Sequence, residues 1–400
     1  MLVLGLARSG RAASAALARR GVEVVGADRS LGNDEDPGTL EGVGLLVKSP
    51  GVPADAPLLD AARDRDIAVW SELELGYRLL RDNPLIAVTG TNGKTTTSEL
   101  LGFLLGVPVA GNVGRALCEL DGEVEPGRWV VCEVSSFQLE DIHEFRPRIA
   151  LLLNLESDHL DRHGTFDAYR AAKLRVFENQ GDGDSAVVPR GFAAVPGKAR
   201  RVEFAGDDPL PAEPAIPGAH NRENAAAAVA AARVVGIDDP TIAQALQSFP
   251  GVPHRLELIA ECGGVRFVND SKATNVASAL RALAAYADAP VHLILGGSRK
   301  GEDFGPLADA IGPNVAGVYL IGETAAELAP LLPDAVQSGT LAAALGFAAE
   351  AAQPGDVVLL SPACASYDHY ENFEERGEEF RRLVQNRDEC QCGGASKAMS

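Results

Sequence analysis

Short apolar runs alternate with longer Ala- and Leu-rich stretches of helical spacing along most of the chain. The first run is LVLGL from Leu2, followed by the turn ARSG and by RAASAALARRG, which reads as a helix; VEVVGAD then reads as a second strand. Strand, turn, helix and strand in that order open a parallel sheet. Asn83-Pro84 after ELELGYRLLRDNP marks a break. The pattern resumes with predicted strands in LIAVTG, RWVVCEVS and IALLLNL and predicted helices in TFDAYRAAKLRVFEN and NRENAAAAVAAARVVG. A third block after QSFPGVP holds predicted strands in VRFVND, VHLILGG, GVYLIG and DVVLLSP, with Ala-rich helical stretches between them. Nearly continuous apolar strands imply parallel sheets covered on both faces. The piece from Gly181 to Gly218 is rich in Gly and Pro and shows no clear period, and no tandem repeat of solenoid length occurs. The pattern predicts an α/β chain of three domains, residues 1–83, 84–250 and 251–386, with 387–400 as a disordered tail.

One turn changes the picture from fold to chemistry. In IAVTGTNGKTTTSELL an apolar strand runs into a Gly-rich turn and a helix start, as in a phosphate-binding loop, yet Val88 stands where G-x-x-x-x-G-K-[ST] has its first glycine. Backbone N–H groups of such a turn, with the helix N-terminus, form an anion site. Lys94 would reach terminal phosphates, and a hydroxyl at Thr95 or Thr96 would ligate Mg²⁺. The plain alternative is a Gly-rich turn before a core helix. Glu133 ends the predicted strand WVVCE and is placed to hold a metal ion; a solvated carboxylate is the alternative. Asp158, His159, Asp161 and His163 follow another strand, where hard Mg²⁺ is favoured over zinc; a polar loop is the alternative. Lys173 falls inside a helical pattern, and residue chemistry alone reads it as an exposed lysine.

In the first block, GLARSG has Ala7 where the dinucleotide fingerprint needs glycine, which disfavours NAD. Asp28 after the second strand suits a ribose or uracil contact, so a UDP group is an option and a tight turn the alternative. In the third block Asp270, Lys272 and Thr274 lie in NDSKATN, Lys300 in LGGSRKGEDF, and Ser361, Ser366 and Phe373 in SPACASYDHYENFEERG. Two lysines and several hydroxyls at strand ends would clamp carboxylates or phosphates.

Charge and composition then remove several classes. A formal net charge of -20 over 400 residues argues against nucleic acid as a partner. No apolar run is long enough to span a bilayer, and MLVLGLARSG reaches Arg8 too soon for a signal peptide, so a cytoplasmic protein is expected. Cys118, Cys132, Cys262 and Cys364 are scattered and expected to be reduced; Cys390 and Cys392 form a C-x-C in the tail.

These strings in this order resemble the Mur ligases of peptidoglycan synthesis: GLARSG, SPG, TGTNGKTTT, GNVG, EVSSFQLE, DHLDRHG, YRAAK, GAHNRENA, PHRLE, NDSKATN, LGGSRKGEDF and LSPACASYDHYENFEERG. The chain looks shorter than the family between Leu104 and Pro108 and between Gly181 and Gly218. The resemblance implies a Rossmann-like first domain, a central P-loop ATPase-type parallel sheet and a Rossmann-like third domain. It implies ATP-dependent joining of D-glutamate to UDP-N-acetylmuramoyl-L-alanine through an acyl phosphate, by a monomer with small-molecule substrates and no membrane insertion. Gly5, Leu6, Ala7, Arg8, Asp28, Gly51, Asn112 and His159 would surround the UDP substrate. Gly90, Thr91, Asn92, Gly93, Lys94, Thr95 and Thr96 would hold the ATP phosphates, and Asn221, Asn224, His254, Arg255 and Asp270 the rest of the nucleotide. Lys272, Thr274, Lys300, Ser366 and Phe373 would form the glutamate pocket, with Lys272 also counted among the catalytic residues. Two Mg²⁺ ions would use Thr95, Glu133, His159 and a carbamylated Lys173. Rival readings are another Mur-type or folylpolyglutamate-type ligase, a P-loop kinase or NTPase, and a UDP-sugar module without catalysis.

Overall fold

A computed structural model describes residues 1–299, 301 and 303–387. Three sheets follow one another along the chain. The first comprises β1 (Leu2–Leu4), β2 (Val25–Ala27), β3 (Leu45–Lys48) and β4 (Ala68–Ser71), all parallel, in the order β2-β1-β3-β4. The second comprises β5 (Leu85–Thr89), β6 (Val109–Gly111), β7 (Val130–Glu133), β8 (Ile149–Leu152), β9 (Ser185–Pro189) and β10 (Arg200–Phe204). Its order is β10-β9-β8-β5-β7-β6 and every pairing is parallel. The last two strands occupy the stretch whose sequence showed no period; β10 is largely exposed, so its Arg and Glu side chains hide the apolar signal.

The third sheet comprises β11 (Glu257–Cys262), β12 (Val265–Asn269), β13 (Val291–Gly296), β14 (Val315–Ile321), β15 (Val336–Gly339) and β16 (Val357–Leu360). Its order is β11-β12-β16-β13-β14-β15. One pairing departs from the parallel expectation: β11 runs antiparallel to β12 through the tight turn at Gly263-Gly264. The central strands are buried on both faces, as their unbroken apolar sequences require.

The chain forms two compact units. One unit is Met1–Pro214 with His220–Phe249, and the other is Ala215–Ala219 with Pro250–Ser400. The first two sheets share a unit because buried charges join them. The fully buried Glu74 carboxylate, on the helix Glu72–Leu79, accepts backbone N–H groups of His143, Glu144 and Phe145 at 2.9–3.1 Å. Buried Lys48, the last residue of β3, reaches Glu140 at 3.2 Å. A carboxylate with several backbone donors is well compensated for its burial.

Cys118, Cys132 and Cys364 are buried free thiols. Among the described residues no helix is long and apolar enough to cross a membrane. Cys390 and Cys392 lie outside the described residues.

Candidate active site

In the second sheet β5 lies between β7 and β8, so the chain connections diverge there and leave a crevice at the strand tips. The Gly-rich turn leaves β5 at Thr89 and enters the helix Lys94–Leu105, whose N-cap is Gly93 in the left-handed region at φ 82°. A side chain at Gly93 would be strained, and its Cβ would fall 2.1 Å from Asn224 Oδ1. Asn224 therefore packs directly on the turn, and it donates to Asn221 at 3.5 Å. The turn is also held from β8. Thr91 N–H donates to Asn154 O at 3.1 Å, Asn92 N–H to Asn154 Oδ1 at 2.8 Å, and Asn92 Nδ2 to Glu156 at 2.9 Å. Lys94 Nζ folds over the turn and donates to the Gly90 and Thr91 carbonyls, each at 2.9 Å.

Around this turn sit the candidate metal residues. Thr95 is buried at the first turn of the helix. Glu133 ends β7 beside Val88 of β5. Its carboxylate is 2% exposed and accepts Asn112 Nδ2 at 3.1 Å, and no cation pairs with it among the described residues. A buried carboxylate without a cation suits a hard divalent ion. Among the described residues no three His, Cys, Asp or Glu side chains form a ready metal cluster.

Lys173 is 2% exposed and not the surface lysine its helical pattern suggests. Its Nζ donates to Gly90 O at 2.8 Å and lies 4.7 Å from the Tyr169 ring centre. Burial first, and then the charge of Lys94, push its ammonium down to about 7. Tyr169 is fully buried and shares a hydrogen bond of 2.9 Å with Thr91 Oγ1.

His159 caps the short helix Leu160–His163 in the left-handed region at φ 51°. It faces Phe137 at 4.9 Å and Asp158 at 3.5 Å, and half of its side chain is exposed. His163 turns inward instead. It bonds Ser136 Oγ at 3.0 Å and stacks on Phe137, and burial pushes its imidazole down. Ser135 is the N-cap of the helix Ser136–Leu139, and Gln138 completes the box, so SSFQ is helix-start chemistry.

The first sheet carries a cavity of ≈ 740 Å³ at its strand tips. Gly5, Ala7, Arg8, Asp28, Gly51 and Asn112 line it. Leu6 and His159 are not on its wall; Leu6 packs against Gly26 instead. Asp28 is held near a pKa of about 2, first by the Ser30 hydroxyl and then by the Leu6 and Ser30 N–H groups. It accepts Leu6 N–H at 2.6 Å, so it shapes the Gly turn as well as lining the cavity. Asn112 belongs to both places, lining this cavity while bonded to Glu133.

The second unit gathers the remaining candidates. His254 is buried, accepts or donates at Nδ1 with Asn269 at 3.0 Å, and has its imidazole pushed down by burial. Arg255 adjoins it and is half-buried. Asp270 is pushed up to about 7 by burial, although Ser361 Oγ donates to it at 2.8 Å. Lys272 lies 5.7 Å from the Phe373 ring centre, and Thr274 N–H donates to Lys272 O at 2.8 Å. Ser366 is buried, and its carbonyl accepts the Tyr370 N–H at 2.8 Å. Lys300 lies outside the described residues.

Arg376 joins these pieces and was not singled out by sequence reasoning. It is 1% exposed, and its guanidinium donates to Ser271 Oγ and O, Ala365 O and Cys364 O at 2.9–3.0 Å. Burial pushes it down to about 10. Arg376→Ala removes the guanidinium from three buried carbonyls, of which Ala365 O keeps the Ser298 N–H at 2.9 Å. We expect the second unit to lose about 3 kcal/mol or more of stability; an unchanged calorimetric unfolding temperature would contradict this.

Two families match the chain: the Mur ligase middle domain over residues 88–205 and the Mur ligase glutamate ligase domain over residues 254–364. The chain is 41% identical to UDP-N-acetylmuramoylalanine--D-glutamate ligase of Myxococcus xanthus over 447 residues, covering 96% of this chain and 98% of the relative. The enzyme of the same name from Anaeromyxobacter dehalogenans is 43% identical, with 96% of each chain covered. These alignments are longer than the chain itself, so the relatives carry segments that it lacks. Among solved structures, UDP-N-acetylmuramate-alanine ligase from Thermotoga maritima has a TM-score of 0.60 at 19% identity, covering 96% of this chain and 98% of that one. MurF from Acinetobacter baumannii has a TM-score of 0.56 at 21% identity, with 84% of each covered.

Proposed function

The chain belongs to the Mur ligase family, and we propose from that premise how its residues divide the work. It is an ATP-dependent ligase that joins D-glutamate to UDP-N-acetylmuramoyl-L-alanine in peptidoglycan precursor synthesis. The observation that carries the assignment of sites is Asn112. It lines the ≈ 740 Å³ cavity and donates to Glu133, so a UDP substrate in that cavity extends toward the phosphate turn.

A carboxylate is a poor acylating agent because its leaving group is oxide. The substrate carboxylate oxygen attacks the γ-phosphorus of ATP and ADP leaves, which gives an acyl phosphate. The amine of D-glutamate then adds to the acyl carbon, loses a proton, and phosphate departs as the amide forms. Backbone N–H groups from Gly90 to Thr96 and the Lys94 ammonium hold the phosphates through this transfer. Asn221, Asn224, His254, Arg255 and Asp270 are the further nucleotide-binding residues. Lys272, Thr274, Lys300, Ser366 and Phe373 form the glutamate pocket. Mg²⁺ held by Thr95, Glu133, His159 and a carbamylated Lys173 would supply charge neutralisation at the phosphates. The protein works as a cytoplasmic monomer.

The test is phosphate release from ATP across D-Glu, L-Glu, L-Lys and diaminopimelate, each with UDP-N-acetylmuramoyl-L-alanine. Release is expected with D-Glu and the muramoyl nucleotide together. Equal release with ATP alone would move the reading to an NTPase. With heavy oxygen in the substrate carboxylate, one label is expected in the released phosphate; a label retained wholly in the amide would exclude the acyl phosphate.

A further inference from the structure

Arg162 has no part in the roles above, yet it touches two of the sites. It lies on the helix Leu160–His163, three residues after His159. Its Nη1 donates to Pro50 O at 3.0 Å, and its Nη2 donates to Val52 O at 3.0 Å and to Glu140 Oε2 at 2.9 Å. The guanidinium rests on the Phe137 ring, with Cζ 4.1 Å from the ring centre. Pro50, Gly51 and Val52 all line the ≈ 740 Å³ cavity of the first sheet. One side chain from the His159 segment thus holds the carbonyls on both sides of Gly51.

The acceptor Glu140 is shared. Lys48 Nζ, buried at the end of β3, reaches it at 3.2 Å. The next residue, Ser49, donates through Oγ to Gly5 O at 2.6 Å. The cavity wall is therefore tied to the Gly turn on one side and to Arg162 on the other. The other end of the tie is weak by itself. A four-residue helix is not stable on its own hydrogen bonds, and Leu160 is 42% exposed, so it does not anchor the segment in a core. The packed His163 anchors the end of this segment through Ser136 and Phe137, and Arg162 supplies its tie to the first sheet.

We infer that Arg162 is a positioning residue that couples the Gly51 wall of the first cavity to the His159 segment beside the phosphate turn. This rests on the reading of the cavity as the UDP-substrate site. A ligand that presses on the wall fixes Arg162, and Arg162 fixes the segment; by linkage, ordering the segment favours the same ligand. Arginine is suited because its planar fork meets two carbonyls and a carboxylate at once, which an ammonium on a flexible stem does not.

The experiment measures the KM of each substrate for wild type, Arg162→Met and Arg162→Lys, with unfolding temperatures alongside. Loss of Arg162 leaves Glu140 paired with Lys48, so the carboxylate keeps a cation. The KM for UDP-N-acetylmuramoyl-L-alanine is expected to rise about 10-fold or more in Arg162→Met, the size of one charge-assisted hydrogen bond. The KM for ATP is expected to change less than about 3-fold, and Arg162→Lys to fall between. A merely structural role would lower stability and move both KM values together, and that result, or no change in either, overturns the inference. If Arg162→Met does not fold, Arg162→Lys decides: a wild-type KM for the muramoyl nucleotide overturns the inference and a selective rise supports it. Wild-type protein without turnover sinks the reading of the site and the inference with it, whereas active wild type beside an indifferent Arg162 sinks the inference alone.

Discussion

Lys94→Ala is expected to lower turnover by about 10²–10³-fold, the loss seen when one preorganised donor to developing charge is removed. The fold should survive, because Lys94 stands at the start of its helix and its ammonium rests on loop carbonyls rather than in the core. Those two carbonyls, of Gly90 and Thr91, are each 2.9 Å away. They are neutral acceptors. A triphosphate entering the turn offers acceptors of full charge, which form stronger bonds to the same ammonium. The gain is largest where charge spreads over the transferring phosphoryl group. Single-turnover phosphate release is the measurement, with circular dichroism as the control for folding. Near-normal release by a folded Lys94→Ala would remove Lys94 from the reaction.

The strand tips were legible because each central strand is an unbroken apolar run that stops at a candidate site residue. Glu133 closes β7, and the Gly-rich turn follows β5 directly. Local chemistry explains the misses. Asn154, which clamps the turn, looks like any loop asparagine until β8 is placed beside β5. Arg376 and Lys173 carry charge that sequence patterns assign to solvent, and only the fold shows that neither is exposed. Arg376 has carbonyl partners from two other loops, a constellation with no signature in spacing. The antiparallel β11 escaped because strand direction is set by a turn at Gly263-Gly264 and not by the apolar run itself. The shared unit of the first two sheets rests on Glu74 and Lys48, polar residues within otherwise ordinary elements.

Lys173→Ala is expected to abolish most activity and to regain part of it in acetate. An ordinary surface lysine would be silent at this substitution, but Lys173 is 2% exposed and bonded to Gly90 O at 2.8 Å. Burial and the charge of Lys94 push it down to about 7, with Asp158 and Glu133 opposing in part. Near pH 7 roughly half of the amines are therefore neutral, against almost none for a lysine of ordinary pKa. A neutral amine adds to carbon dioxide: the nitrogen lone pair forms the C–N bond, one C=O π pair moves onto oxygen, and the nitrogen proton passes to solvent. The product would be a carbamate, which would turn the side chain from a cation near Lys94 into an anion near Lys94. That would remove the repulsion and place an oxygen donor beside Glu133. Alanine deletes the donor and leaves space for a small carboxylate, so acetate should restore part of the turnover. The expected loss is about 10²–10³-fold before rescue, as for other groups that stabilise transferring charge. Lys94→Ala should show no such rescue, because a cation is missing there. In wild type, activity should fall as the pH drops through about 7, since protonation removes the reactive amine, and added bicarbonate should oppose the fall. Labelled bicarbonate should give a carbamate carbon resonance in wild type and none in Lys173→Ala. Near-normal turnover by the alanine variant, or a wild-type spectrum without that resonance in active protein, would end the carbamate assignment.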